Sequence, residues 1–113
     1  MTITIYHNPR CSKSRQTLQL LRDHGHEPEI VEYLKTPPSV DELRRIIQSL
    51  RLPVRDVVRT GEAPYKDLNL DAADDETLLK AMHEHPILIQ RPIVLHGDRG
   101  IIGRPPEGVI RLI

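Results

Sequence analysis

Cys11 lies in the run Tyr6-His7-Asn8-Pro9-Arg10-Cys11-Ser12-Lys13-Ser14-Arg15, and it is the only cysteine among 113 residues. Free cysteine is commonly a small buried hydrophobe. Here Arg10, Ser12 and Lys13 are poor neighbours for an inert core thiol. The same cations suit a reactive one, because the thiolate is the nucleophile and positive surroundings stabilise it. A free thiol titrates near ~8.5, and lowering that by about two units takes roughly 2.7 kcal/mol of preferential stabilisation of the charged form. A helix N-terminus supplies about 0.3–1 kcal/mol, or up to about 2 when partly buried. Cations must provide the remainder, and Arg10, Lys13 and Arg15 are the local candidates.

The spacing narrows the chemistry further. Cys11-Ser12-Lys13-Ser14 is a C-x-x-S arrangement, so a hydroxyl stands where a second thiol would resolve a disulfide. Ser14 is expected to tune the sulfur by donating a hydrogen bond to it. Redox chemistry at Cys11 must therefore draw its second sulfur from another molecule. The C-x5-R loop of cysteine phosphatases is excluded, since the sixth residue after Cys11 is Thr17.

The elements that must hold this thiol follow from periodicity. Ile3 and Ile5 alternate with Thr2, Thr4 and Tyr6, the pattern of a half-buried strand. Residues 12–24 turn helical, with Thr17, Leu18 and Leu21 on one face and Gly25 as the stop. Residues 29–33 read as a second strand, parallel to the first across a right-handed crossover. Thr36-Pro37-Pro38 breaks the chain. Ser39-Val40-Asp41-Glu42 is a capping-box signature for a helix carrying Val40, Leu43, Ile46, Ile47 and Leu50. A short helix is expected over 53–59, and another opens at Asp74 or Asp75 with Leu78, Leu79 and Met82 inward. Residues 92–96 read as a strand, 97–100 as a turn and 101–103 as its antiparallel partner. Pro105-Pro106 starts a terminal helix whose Val109, Ile110 and Ile113 cover the sheet. The order is a βαβ unit, a helical insertion, then a β-hairpin and a helix. That describes an α/β, thioredoxin-like fold with a four-stranded mixed sheet in a single domain over residues 1–113.

Composition removes several functions. Sixteen basic residues balance sixteen acidic ones, and Trp and Phe are absent. A nucleic-acid binder needs net positive charge or a stacking platform, so no nucleic acid is expected as a partner. No signal peptide or membrane-length apolar run is found, so no membrane is expected and the localisation expected is cytoplasmic. There is no His-Glu-x-x-His and no cysteine pair, and His83 and His85 lie two apart on a predicted helix, on different faces. No metal is expected. Arg44, Arg45, Arg51 and Arg55 read as the solvated face of helices, with a second use in receiving a partner protein.

The segment Ile5-Tyr6-His7-Asn8-Pro9-x-Cys11-x-x-Ser14-Arg15 resembles the start of the ArsC family, the glutaredoxin-coupled arsenate reductases. The likeness runs on through Tyr33-Leu34-x-x-Pro37-Pro38, Val58-Arg59, Pro64-Tyr65, His85-Pro86-Ile87-Leu88-Ile89-x-Arg91-Pro92-Ile93-Val94 and Gly103-Arg104-Pro105. It is strongest to the short YfgD-type branch, which shares Asn8 through Arg15 and Ile102-Gly103-Arg104-Pro105-Pro106. The resemblance implies Cys11 as the nucleophile and Arg59, Arg91 and Arg104 as the groups binding a tetrahedral oxyanion. Guanidinium forks suit such a dianion through bidentate, charge-assisted bonds. It further implies thiol tuning by His7, with Ser14 and Arg15 beside it, and a cis Pro92. No tightly bound cofactor is implied. Glutathione is the co-substrate, glutaredoxin the protein partner, and a monomer the expected state. Better-known members carry Gly-Thr after the cysteine, where this chain has Ser12-Lys13.

Two other functions remain open on the sequence. One is an Spx-like regulator contacting RNA polymerase, a related family that often carries C-x-x-C at this place. The other is a thiol-transfer oxidoreductase acting on a different oxidised substrate.

Overall fold

Alternation of isoleucine with threonine builds β1 (Ile3–Tyr6), with Ile3 and Ile5 buried. The computed structural model describes residues 2–113. Its contacts divide into two compact units, the chain up to Thr36 together with Arg91–Ile113, and Pro37–Gln90.

In the first unit β1 leads to α1 (Ser12–Asp23) and β2 (Glu29–Val31). The hairpin of β3 (Ile93–His96) and β4 (Arg99–Ile102) completes a sheet of order β2-β1-β3-β4. β1 runs parallel to β2 and antiparallel to β3, in register Ile5 with Ile30 and Ile5 with Val94. The sheet is four-stranded and mixed, as the periodicity requires.

α1 ends where the glycine is. Gly25 has φ +83°, and the His26 N–H reaches the Leu21 carbonyl while the Gly25 N–H reaches Arg22. These are the bonds of a Schellman cap, which satisfies carbonyls the last turn leaves free. The helix buries Ser14, Thr17, Leu18 and Leu21. Leu18 and Leu21 pack with Ile3, Ile5 and Val94 of the sheet and with Val109 and Leu112 near the C-terminus. Full burial of a side chain such as Leu21 stabilises by on the order of 2 kcal/mol.

Three expected boundaries move. β2 is three residues long and stops at Val31, short of Tyr33. The turn between β3 and β4 contracts to Gly97-Asp98, so Arg99 and Gly100 join the strand. Gly97, at φ +64°, occupies the first central position, the conformation a two-residue type II′ hairpin demands of it. The last helix is a 3-10 helix, Pro106–Arg111, which buries Pro106 and Val109. Its tighter three-residue turn puts Leu112 in the core and leaves Ile110, expected inside, 41% exposed.

The second unit is helical. α2 (Val40–Leu50) starts at Ser39, whose hydroxyl accepts the Glu42 N–H at 3.1 Å, and buries Leu43, Ile46, Ile47 and Leu50. The helix expected over 53–59 is only a 3-10 turn, Val54–Val57. α3 (Ala63–Asp67) carries buried Tyr65. α4 (Asp75–Glu84) is capped by Asp74, which accepts the Thr77 N–H, and buries Leu78, Leu79, Ala81 and Met82.

Candidate active site

Cys11 is the N-cap residue of α1, with φ −93° and ψ 122°. The loop before it is shaped by Asn8, whose carbonyl accepts the Cys11 N–H at 3.0 Å and whose Oδ1 accepts the Arg10 N–H at 3.0 Å. These bonds within the loop turn the chain from β1 into the helix and leave the thiol half-buried at its start. Asparagine suits that task because its side chain can imitate a backbone turn. The composition of the loop alone did not single it out.

The electrostatics at the sulfur are a contest. Burial pushes the thiol up, but the Ser14 N–H, the Arg91 side chain and the Lys13 N–H each favour the charged form, and the Arg91 charge adds to them. The balance holds Cys11 below its ordinary value. The cysteine makes no close capping bond, so the first-turn N–H groups act as dipoles aimed at the sulfur, the usual preference of a helix start for an anion.

The cation that matters is thus Arg91, eighty residues away in the chain, and not the local cations. Lys13 contributes through its backbone. Arg15 is exposed and its Nη1 donates to the Pro9 carbonyl at 2.9 Å, bracing the loop. Arg91 is half-buried and its Nε–H, fully buried, has no hydrogen-bond partner among the described residues. A half-buried guanidinium beside a thiolate, with no acidic partner among the described residues, suits an incoming oxyanion. Arg104 is exposed, and its Nη1 lies 3.4 Å from the Arg91 carbonyl. The Arg91-Pro92 peptide is cis, as expected, and so is Arg104-Pro105, which the sequence did not suggest.

The Ser14 hydroxyl has different partners from the one expected. It accepts the Asn8 N–H at 3.0 Å and lies 2.6 Å from His7 Nδ1, so it does not serve the sulfur. Both His7 and Ser14 are buried. Burial lowers the His7 pKa against the opposing pull of Glu32, and the charges of Arg22 and Arg15 lower it further. A neutral His7 can accept a hydrogen bond from the Ser14 hydroxyl at Nδ1, which satisfies both groups and ties the end of β1 to the first turn of α1. Ser14 reaches Cys11 through its backbone.

Arg59 belongs to the Pro37–Gln90 unit. Its N–H donates to the Leu88 carbonyl at 2.7 Å beside the Val58–Ile89 bridge, and its Nε pairs with Glu62 at 3.3 Å. Unlike Arg91, it already has an acidic partner. In the same unit Arg55 is no solvated helix residue. It donates to the Tyr65 hydroxyl and to the Leu70 and Ala73 carbonyls, while Tyr65 donates to Asp71 at 2.6 Å. Arg44 forms a two-pronged pair with Glu76 at 2.7 and 2.8 Å. Among the described residues no three His, Cys, Asp or Glu side chains gather as a metal site, and no helix is long and apolar enough to cross a membrane.

A mixed sheet with a cysteine at the start of the first helix and a cis proline at the start of β3 defines a thioredoxin-like protein. The ArsC family matches residues 6–112, and the chain belongs to that family. It is 49% identical to a protein named arsenate reductase from Haemophilus influenzae, over all of both chains. It is 46% identical to the uncharacterized protein YfgD of Escherichia coli, over 98% of this chain and 96% of that one. Among solved structures, one titled arsenate reductase from Vibrio cholerae aligns with TM-score 0.97 and 49% identity, over 100% of this chain and 98% of that one.

Proposed function

We propose that the protein is a glutathione- and glutaredoxin-dependent arsenate reductase of the cytoplasm, acting through Cys11. The observation that carries this reading is the Cys11 thiol held below its ordinary value with the Arg91 side chain beside it. The names of the relatives supply the substrate. Arg91 and Arg104 bind the oxyanion, and the family resemblance gives Arg59 the same task.

The Cys11 thiolate attacks arsenic(V), forming a sulfur–arsenic bond as an arsenate oxygen leaves as water. A glutathione thiol then attacks the Cys11 sulfur. The sulfur–arsenic bond breaks, its electron pair stays with arsenic, and arsenite departs as arsenic(III). Two thiols have become one mixed disulfide, which supplies the two electrons. A glutaredoxin thiol takes the glutathione and frees Cys11. Because Cys11 is the only cysteine, this chain cannot complete the cycle without an external thiol.

Arsenate-dependent NADPH oxidation, coupled through glutathione reductase, glutathione and glutaredoxin, tests the proposal. The expected result is turnover that vanishes in Cys11→Ser. Absence of arsenate-dependent oxidation, or full activity in that variant, would overturn it.

A further inference from the structure

Gly103 has no room for a side chain. A Cβ built there would lie 2.6 Å from Thr17 Oγ1, 2.9 Å from Pro92 Cγ and 3.1 Å from Thr17 Cγ2. Gly103 is not among the glycines of positive φ, so space, not backbone conformation, excludes a side chain. Neither neighbour can easily yield. Thr17 is fully buried, its Oγ1 is bonded to the Lys13 carbonyl at 2.8 Å, and β-branching stiffens its χ1. Pro92 is a ring in the backbone, and its carbonyl accepts the Gly103 N–H at 2.9 Å.

Each of the three residues touches a segment of the site. Thr17 lies one turn after Lys13, whose N–H serves the sulfur. Pro92 directly follows Arg91, and Gly103 directly precedes Arg104. We propose that Thr17 and Gly103 are positioning residues, whose contact with each other and with Pro92 sets the spacing of Arg91 and Arg104 from the first turn of α1. The proposal rests on the reading of Cys11 as the reactive thiol. It adds to that reading a shape constraint: any side chain at position 103 wedges the arginine-bearing segments off the helix. Loss of a fraction of an ångström matters here, since a misplacement near 1 Å can cost about a hundredfold in rate.

The test compares Gly103→Ala with Thr17→Ala/Gly103→Ala, using the pH profile of Cys11 alkylation, arsenate turnover and thermal unfolding. In Gly103→Ala the alkylation midpoint rises by about half a unit or more, about threefold less thiolate at lower pH, and turnover falls ~10-fold. The double variant lacks Thr17 Oγ1 and Cγ2 and keeps the Pro92 Cγ contact, so it recovers part of both losses. Should Gly103→Ala fail to fold, a double variant that folds still supports the contact. An unchanged Gly103→Ala, or a double variant that recovers nothing or does not fold, overturns it. The alkylation profile needs no arsenate. A wild type without turnover would sink the arsenate assignment and leave this inference standing on its own readout.

Discussion

The start of α1 and the segment around Arg59 both gather polar groups, and they do so in opposite ways. At Cys11 donors converge on one sulfur, from the Ser14 and Lys13 N–H groups and from Arg91, whose buried Nε–H is without a partner among the described residues. Around Arg59 the acceptors are already matched to donors: Glu62 takes Arg59, while Tyr65, Leu70 and Ala73 take Arg55. An excess of donors favours a negative charge arriving from outside. A matched set favours a fixed backbone. The first arrangement is therefore open to an anion as it stands, and in the second Arg55 holds in place the loop that follows Arg59.

Removing Arg91 should have the largest effect. Arg91→Ala deletes a donor and a charge at the sulfur, so kcat/KM for arsenate should fall by about 10²–10³, the usual cost of one oxyanion donor. The alkylation midpoint of Cys11 should rise with it. Arg91→Lys should rescue little, because an ammonium cannot reproduce the planar fork. A variant with normal turnover and an unmoved midpoint would erase the distinction between the two regions.

Arg55→Met probes the matched region. It leaves the Leu70 and Ala73 carbonyls and the Tyr65 hydroxyl short of a donor, and should cost about 2–3 kcal/mol of stability in urea unfolding. The Cys11 midpoint should not move. A stable variant with a raised midpoint would reverse the roles assigned here.

The smallest effect belongs to His7. Its folded pKa is lowered, chiefly by burial, so the unfolded chain binds more protons at mildly acid pH. The sign follows: stability is complete above the unfolded value near ~6.5 and declines as pH falls toward the lowered folded value. His7→Gln should flatten that decline between about pH 7 and 5. An equal slope in both proteins would show that His7 is not buried neutral against Ser14.

Much of this architecture was legible in the sequence because local signals and burial agree. Ser39, Asp74 and Gly25 cap their helices as their types require, and Ile3 and Ile5 announce β1. Cys11 was legible for the same reason, since strand, loop and helix meet there. The partner of the sulfur was legible only through the family resemblance. Local sequence offered Arg10, Lys13 and Arg15 and the resemblance offered Arg91, and it is the Arg91 charge, brought in by tertiary structure, that acts on the sulfur. Ser14 does serve the sulfur, but through its N–H, because the hydroxyl expected to do so is claimed by the buried His7. Arg55 and Gly103 carry no local signal at all. Their roles depend on carbonyls and a threonine that the fold delivers from elsewhere.

On this reading Cys11 is a thiolate prepared for an oxyanion. The rate of Cys11 alkylation as a function of pH, with and without arsenate, tests it most directly. The expected result is a midpoint well below the ordinary ~8.5 of a free thiol, and slower alkylation when arsenate is present. A midpoint at or above that value, with no protection by arsenate, would contradict it.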